Sequence, residues 1–88
     1  MSYVVELSPA AARQLKKLDR PIQIRILGRI EKLESEPRPS NATIIKSTDD
    51  TLYRVREGDY RIIYTIEDDR LIVIVVRIGH RSEVYRKI

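Results

Sequence analysis

The chain has 88 residues, 42% of them hydrophobic and 34% charged, a formal charge of +4 and no cysteine. That length suits a single domain spanning residues 1–88 with one modest core, and that composition suits an ordered, soluble fold. The charge excess favours a polyanionic partner, though an ordinary basic surface fits it too. The lack of cysteine excludes disulfides, thiolate chemistry and Cys-based metal sites, and a lone histidine argues against zinc.

Met1 to Val5 show no basic segment leading into an apolar one, and the longest apolar run, Leu71 to Val76, is too short to cross a bilayer. A cytoplasmic protein with no membrane association is expected. Tyr3 to Leu7 is a short β-rich run. Ser8 then serves as N-cap with Pro9 at the first helical position, where its missing N–H costs nothing. The spacing predicts a helix from Pro9 to Leu18, with Ala11, Ala12, Leu15 and Leu18 as its apolar stripe and Arg13, Lys16 and Lys17 on the other side.

Asp19-Arg20-Pro21 interrupts that pattern, and a second helix is predicted from Pro21 to about Ser35. Its stripe is Ile22, Ile26, Ile30 and Leu33, widened by Ile24 and Leu27, with Arg25, Arg29 and Lys32 outward. So short a break implies an αα-hairpin. Residues 36–41 carry the proline and polar content of a loop, Ala42 to Ser47 read as a short edge strand, and Ser47 to Asp50 as a turn.

From Leu52 onward the chain reads as three strands joined by turns at Gly58-Asp59 and Asp68-Asp69. A two-residue first turn sets Arg56 opposite Arg61, Val55 opposite Ile62 and Tyr53 opposite Tyr64. A two-residue second turn sets Ile66 opposite Leu71. One face then holds Tyr53, Val55, Ile62, Tyr64, Ile66, Leu71, Val73 and Val75 and packs on the helices. The other holds Leu52, Arg54, Arg56, Arg61, Ile63, Ile72, Ile74, Val76, Ile78 and, by parity, His80. Leu71 to Val76 has no alternation, which marks an interior strand covered on both sides. The expected fold is α+β: an N-terminal strand, a two-helix hairpin, then an antiparallel meander whose sheet packs on the helices by one face.

The open face has an apolar floor and an arginine rim. Arginines gathered there suit either a solvated outer face or an anion clamp, since the planar guanidinium binds phosphate bidentately. The isoleucine floor favours a groove. His80 is the one side chain that ordinarily titrates near neutrality, and Arg61 and Arg81 nearby would favour its neutral, basic form. Taken alone, a strand-end histidine bonded to backbone is the plainer reading, as is Tyr85 closing the sheet rather than stacking on a base. No Gly-rich phosphate loop is present, and Asp49-Asp50 and Asp68-Asp69 read as turn chemistry.

The segments LYRVR (52–56), GDYRIIY (58–64) and VRIGHRSEVY (76–85), in this order of elements, resemble the RelE/ParE superfamily of toxins, RelE more closely. The resemblance covers essentially the whole chain. It implies a type II toxin–antitoxin toxin: a ribosome-dependent endoribonuclease (mRNA interferase) that cuts mRNA in the A site without metal or cofactor and inhibits translation. Its partners would be the ribosome, mRNA and a RelB-like antitoxin. By position, Arg61 and Arg81 match the phosphate-stabilising arginines, and Tyr85 matches the C-terminal tyrosine that acts on the 2′-hydroxyl. Arg54 and Arg56 stand where well-known members carry lysines. Arginine does not pass protons at ordinary pH, so His80 is the expected proton-transfer group. Arg54 and Arg56, with Arg13, Lys16 and Lys17, are expected to bind RNA. Two alternatives stay open: a ParE-like inhibitor of DNA gyrase without nuclease activity, and a non-catalytic module that binds RNA or the antitoxin.

Overall fold

A computed structural model describes residues 2–46 and 51–82. The elements are β1 (Val4–Leu7), α1 (Pro9–Lys16), α2 (Arg20–Ser35), β2 (Thr43–Lys46), β3 (Thr51–Glu57), β4 (Tyr60–Glu67) and β5 (Ile72–His80). The strands form one sheet in the order β1-β5-β4-β3-β2. The meander is antiparallel as expected, while β1 returns parallel to β5, so the sheet is mixed. Both helices lie on one face. The core between them and the sheet is Ala11, Ile26, Ile30, Leu33, Val55, Ile62, Tyr64, Val73, Val75 and Ile78. Among the described residues, no helix is long and apolar enough to cross a membrane.

Ser8 caps α1 as expected, accepting the Ala11 N–H on Oγ at 3.1 Å. The helix stops at Lys16 rather than Leu18, because a side chain from the next helix takes its end. Gln23 Nε2 donates to the carbonyls of Leu15 (3.0 Å), Lys16 (3.3 Å) and Leu18 (2.9 Å). The Leu15 carbonyl also takes the Leu18 N–H at 3.2 Å, so the amide reinforces the helix end rather than supplying its sole partner. Gln23→Ala removes the side-chain donor from this end, and a loss of about 1 kcal/mol is expected in urea denaturation; an unchanged midpoint would show that the cap contributes nothing.

The second helix starts one residue earlier than expected, at Arg20, with Pro21 inside its first turn. Its buried face is Ile26, Ile30 and Leu33, but Ile24 and Leu27 do not widen it: they are 59% and 42% exposed. The helix meets the sheet through Ile26, Ile30 and Leu33, with Ile22 partly buried against the same core. The predicted turn over Ser47 to Asp50 lies outside the described residues.

The first hairpin has the expected register, with Tyr53 opposite Tyr64, Val55 opposite Ile62 and Arg56 opposite Arg61. The second differs. Residues 68–71 make a four-residue loop, and Val73, not Leu71, lies opposite Ile66. Leu71 sits in the left-handed region at φ 54°, and its carbonyl accepts the Val4 N–H at 2.9 Å, which starts the pairing with β1.

A bulge follows. Tyr64 pairs with Val75 but Ile63 with Arg77, leaving Val76 as an extra residue. Parity reverses beyond it, so Ile78 and His80 belong to the helix face rather than the open face. The bulge occurs where β1 ends, and α1 takes over β5's free edge. Ser8 N–H donates to the Val75 carbonyl at 2.8 Å, Ser8 Oγ–H to the Val76 carbonyl at 3.1 Å, and Ile78 N–H to Gln14 Oε1 at 2.7 Å.

Candidate functional site

The Gly58-Asp59 turn organises one end of the sheet. Gly58 has φ 60° while Asp59 stays in the ordinary region, which is the two-residue hairpin turn that needs glycine first. A Cβ at Gly58 would also stand 3.0 Å from Arg25 Nη2. The turn is tied to α2 through Glu57, which bridges Arg25 at 3.3 Å and Arg29 at 3.4 Å. Two of the outward helical cations are thereby structural.

Arg61 lies on the open face, yet it is only 9% exposed. Its Nη1 donates to the carbonyls of Gly58 and Tyr60, each at 3.3 Å, which leaves Nε and Nη2 for another acceptor. The guanidinium is held in place at little cost to later binding. Arg81 comes to the same end, since its N–H donates to the Asp59 carbonyl at 2.8 Å, while its side chain is exposed. Arg56 is the exposed cross-strand neighbour of Arg61, and Arg54 donates from Nη2 to Thr43 Oγ1 at 3.2 Å. Arg77 shares this face opposite Ile63. Beside these cations lies an apolar floor of Leu52, Ile63, Ile45 and Val76. The structure thus brings Arg54, Arg56, Arg61 and Arg81 to one region. Tyr85 lies outside the described residues.

His80 does not join them from the open face. Its cross-strand partner is Tyr60, whose ring it meets edge-on at 5.6 Å between centroids. The Ser82 N–H donates to His80 Nδ1 at 3.2 Å, and Ser82 Oγ lies 2.9 Å from the same nitrogen. A backbone amide can only donate, so Nδ1 carries the lone pair and Nε2 carries the proton. In this arrangement Nε2–H is the group that His80 leaves free for a ligand. Arg13 and Lys16 on α1 and Lys17 at its C-cap are exposed, behind the sheet from the arginine cluster, and of the three only Lys17 lines the cleft beside His80.

A concavity of about 620 Å³ lies at the far end of the sheet, lined in part by Arg38, Thr65, Ile74 and Val76, and none of Arg54, Arg56, Arg61 and Arg81 lines it. Arg38 there grips Asp68 with two bonds of 3.0 and 2.7 Å and donates to Tyr53 Oη at 3.1 Å, while Tyr3 Oη–H donates to Asp68 at 2.7 Å. The Arg38 guanidinium, then the Tyr3 hydroxyl, lowers the Asp68 carboxyl to about 2 from its ordinary 3.8. A carboxylate depressed by folding stabilises the fold above its unfolded pKa and loses that contribution as pH falls through its folded one. The contribution of this network is therefore complete above about pH 4 and fades towards pH 2. Acid denaturation of Asp68→Asn should be flatter in this window than that of the parent; identical acid limbs would remove Asp68 as the cause. Burial pushes the Tyr64 hydroxyl up to about 12; it donates to the Pro37 carbonyl at 2.7 Å.

Sequence reasoning passed over Gln14, Gln23, Tyr60 and Arg38. The only signal for Gln14 was a polar residue next to Leu15 at the edge of the sheet-facing stripe, and Tyr60 stood only within the GDYRIIY segment (58–64).

Comparison with known proteins gives a consistent picture. Residues 5–85 match the family described as "ParE toxin of type II toxin-antitoxin system, parDE". The toxin RelG of Mycobacterium tuberculosis is 30% identical over 88 residues, covering 99% of this chain and 100% of that protein. The mRNA interferase toxin RelE of Escherichia coli is 24% identical over 87 residues, covering 97% and 92%. The archaeal RelE–RelB complex of Pyrococcus horikoshii superposes with a TM-score of 0.81 at 28% identity, covering 96% of this chain and 100% of that one. A family matched over nearly every residue, a full-length relative and a superposable fold agree: the chain belongs to the RelE/ParE superfamily and is a RelE-type toxin of a type II toxin–antitoxin system.

Proposed function

We propose that this toxin is an endoribonuclease that cuts mRNA in the ribosomal A site and so stops translation. The observation that carries the reading is the meeting of Arg61 and Arg81 at the Gly58-Asp59 end, with Arg61 nearly buried and two of its donor atoms uncommitted. In such a cut the ribose 2′-oxygen attacks the adjacent phosphorus and the bond to the 5′-oxygen breaks. The products are a 2′,3′-cyclic phosphate and a free 5′-hydroxyl; the 2′-hydroxyl loses its proton and the leaving oxygen gains one. Negative charge builds on the phosphorane, and a fixed guanidinium aimed at it stabilises the transition state more than the ground state. Arg61 and Arg81 take that role, Arg54 and Arg56 position the strand, and Tyr85 is assigned to the 2′-hydroxyl. His80, with Nδ1 engaged by Ser82, is better suited to donating a hydrogen bond from Nε2 than to taking the proton.

The relative from Escherichia coli is named an mRNA interferase, and the archaeal neighbour was solved with RelB. For this chain the partners are accordingly the ribosome, mRNA and a RelB-like antitoxin in the cytoplasm. The antitoxin would lay apolar side chains on the floor around Leu52, Ile63 and Val76 and bring carboxylates to the arginines. The family description names ParE, which keeps gyrase inhibition as the second reading.

A ribosome-programmed mRNA, read by primer extension with wild type beside Arg81→Ala, tests the proposal. Cuts in the A-site codon that disappear with Arg81→Ala are expected. Folded, antitoxin-free wild type that makes no cut would overturn the reading and send the protein to a gyrase supercoiling assay.

A further inference from the structure

On the helix side of the same sheet end, a cleft of about 300 Å³ opens between α1 and the end of β5, lined by Gln14, Lys17, Leu18, Tyr60, Ile78, Gly79 and His80. Its polar groups share one property. On Gln14, Oε1 is turned to β5, where it takes the Ile78 N–H at 2.7 Å, so its Nε2 hydrogens remain for a ligand. The acceptor of His80 is spent, because Nδ1 takes the Ser82 N–H at 3.2 Å, so Nε2–H remains. Lys17 adds an ammonium, and among the described residues no carboxylate lines the cleft. Asp59 borders only the adjoining hollow on the other side of Tyr60. Leu18, Ile78 and the Tyr60 ring supply an apolar wall. A rim of donors and one cation beside an aromatic wall fits a ligand with an anionic group, carbonyl oxygens and a flat ring.

We infer that this cleft is a nucleotide subsite for single-stranded RNA, with a base against Tyr60 and its phosphate or carbonyl oxygens held by Lys17, Gln14 and His80. The inference rests on the RNA-cutting reading above and names how a flanking nucleotide is held. Tyr60 and Arg61 are consecutive on β4 and project to opposite faces, while Gly79, opposite Arg61, carries no side chain on β5. A strand crossing this corner can place one phosphate at Arg61 and the neighbouring nucleotide in the cleft. Lys17 is then a binding residue, whereas Arg13 and Lys16 contribute only general attraction.

The test is NMR titration of the intact toxin with a non-cleavable 2′-O-methyl triadenylate, with inorganic phosphate alongside at equal concentration. The trinucleotide should shift the Gly79 amide, the Gln14 side-chain NH2 and the His80 ring, and phosphate alone should not. Tyr60→Leu should weaken binding roughly tenfold or more, and Tyr60→Phe should not. Lys17 is exposed, so Lys17→Ala leaves the fold intact; it should lower the slope of log K against log salt by about 0.7. Shifts confined to Gly58 and Arg61, or the same shifts with phosphate alone, would overturn the subsite. So would Lys17→Ala and Tyr60→Leu proteins that cut on ribosomes and bind the trinucleotide like wild type. A wild type that makes no ribosomal cut yet shifts these resonances with the trinucleotide defeats the nuclease reading and supports the subsite.

Discussion

Arg61→Ala is expected to lower A-site cleavage by about 10²–10³-fold, the loss typical of removing one preorganised donor from a developing anion. The size follows from where the side chain sits. The residue is only 9% exposed and its guanidinium is already fixed by two carbonyls, so little ordering is needed when a phosphate arrives. Low local polarity also strengthens its attraction for the phosphorane. Arg61→Lys separates charge from geometry: lysine keeps the positive charge but loses the planar fork, so an intermediate rate is expected. The loss should fall on kcat in single-turnover cleavage. Urea denaturation must accompany it, because truncating a nearly buried side chain also leaves a void. A folded Arg61→Ala protein that cuts at the wild-type rate would take the charge-stabilising role away from this residue.

The second large effect concerns two isoleucines two positions apart on α2. Ile26→Ala is expected to cost about 2–5 kcal/mol, a large share of the roughly 5–15 kcal/mol that holds a small domain together. Ile26 is fully buried between α2 and the sheet, beside Ile30 and Leu33 on the same helix. Strand pairing restrains the sheet side of that contact, so the site cannot collapse onto the space left. Ile24→Ala should change stability by no more than about 0.5 kcal/mol, because Ile24 is 59% exposed. Urea melts of the two variants measure the contrast: a lower midpoint at constant slope for Ile26→Ala and an unmoved midpoint for Ile24→Ala. Equal losses would mean that α2 is rotated relative to the sheet.

Most of the architecture follows from local chemistry. Ser8-Pro9 can hardly avoid starting a helix, and period-two apolar residues on both sides of Gly58-Asp59 demand the hairpin found there. The register of that hairpin was legible because the alternative buries Arg61 among apolar side chains. The arginine cluster was legible for the same reason, since Arg54, Arg56 and Arg61 share one parity with no irregularity between them.

What the sequence did not contain was decided by groups far apart in the chain. Asp68-Asp69 suggested a two-residue turn, but the Leu71 carbonyl is taken by Val4, and the loop lengthens to reach it. Nothing in a run of Val and Ile marks Val76 as an extra residue. The bulge exists because β1 ends at Leu7 and Ser8, 68 positions away, accepts the task of bonding the Val76 carbonyl. That one irregularity moves Ile78 into the core and carries His80 across the sheet to Tyr60. Local pattern therefore determined the elements, the first hairpin and the arginine face. Only the tertiary structure decided which face His80 belongs to, because strand parity holds only until a carbonyl finds its partner outside the ladder.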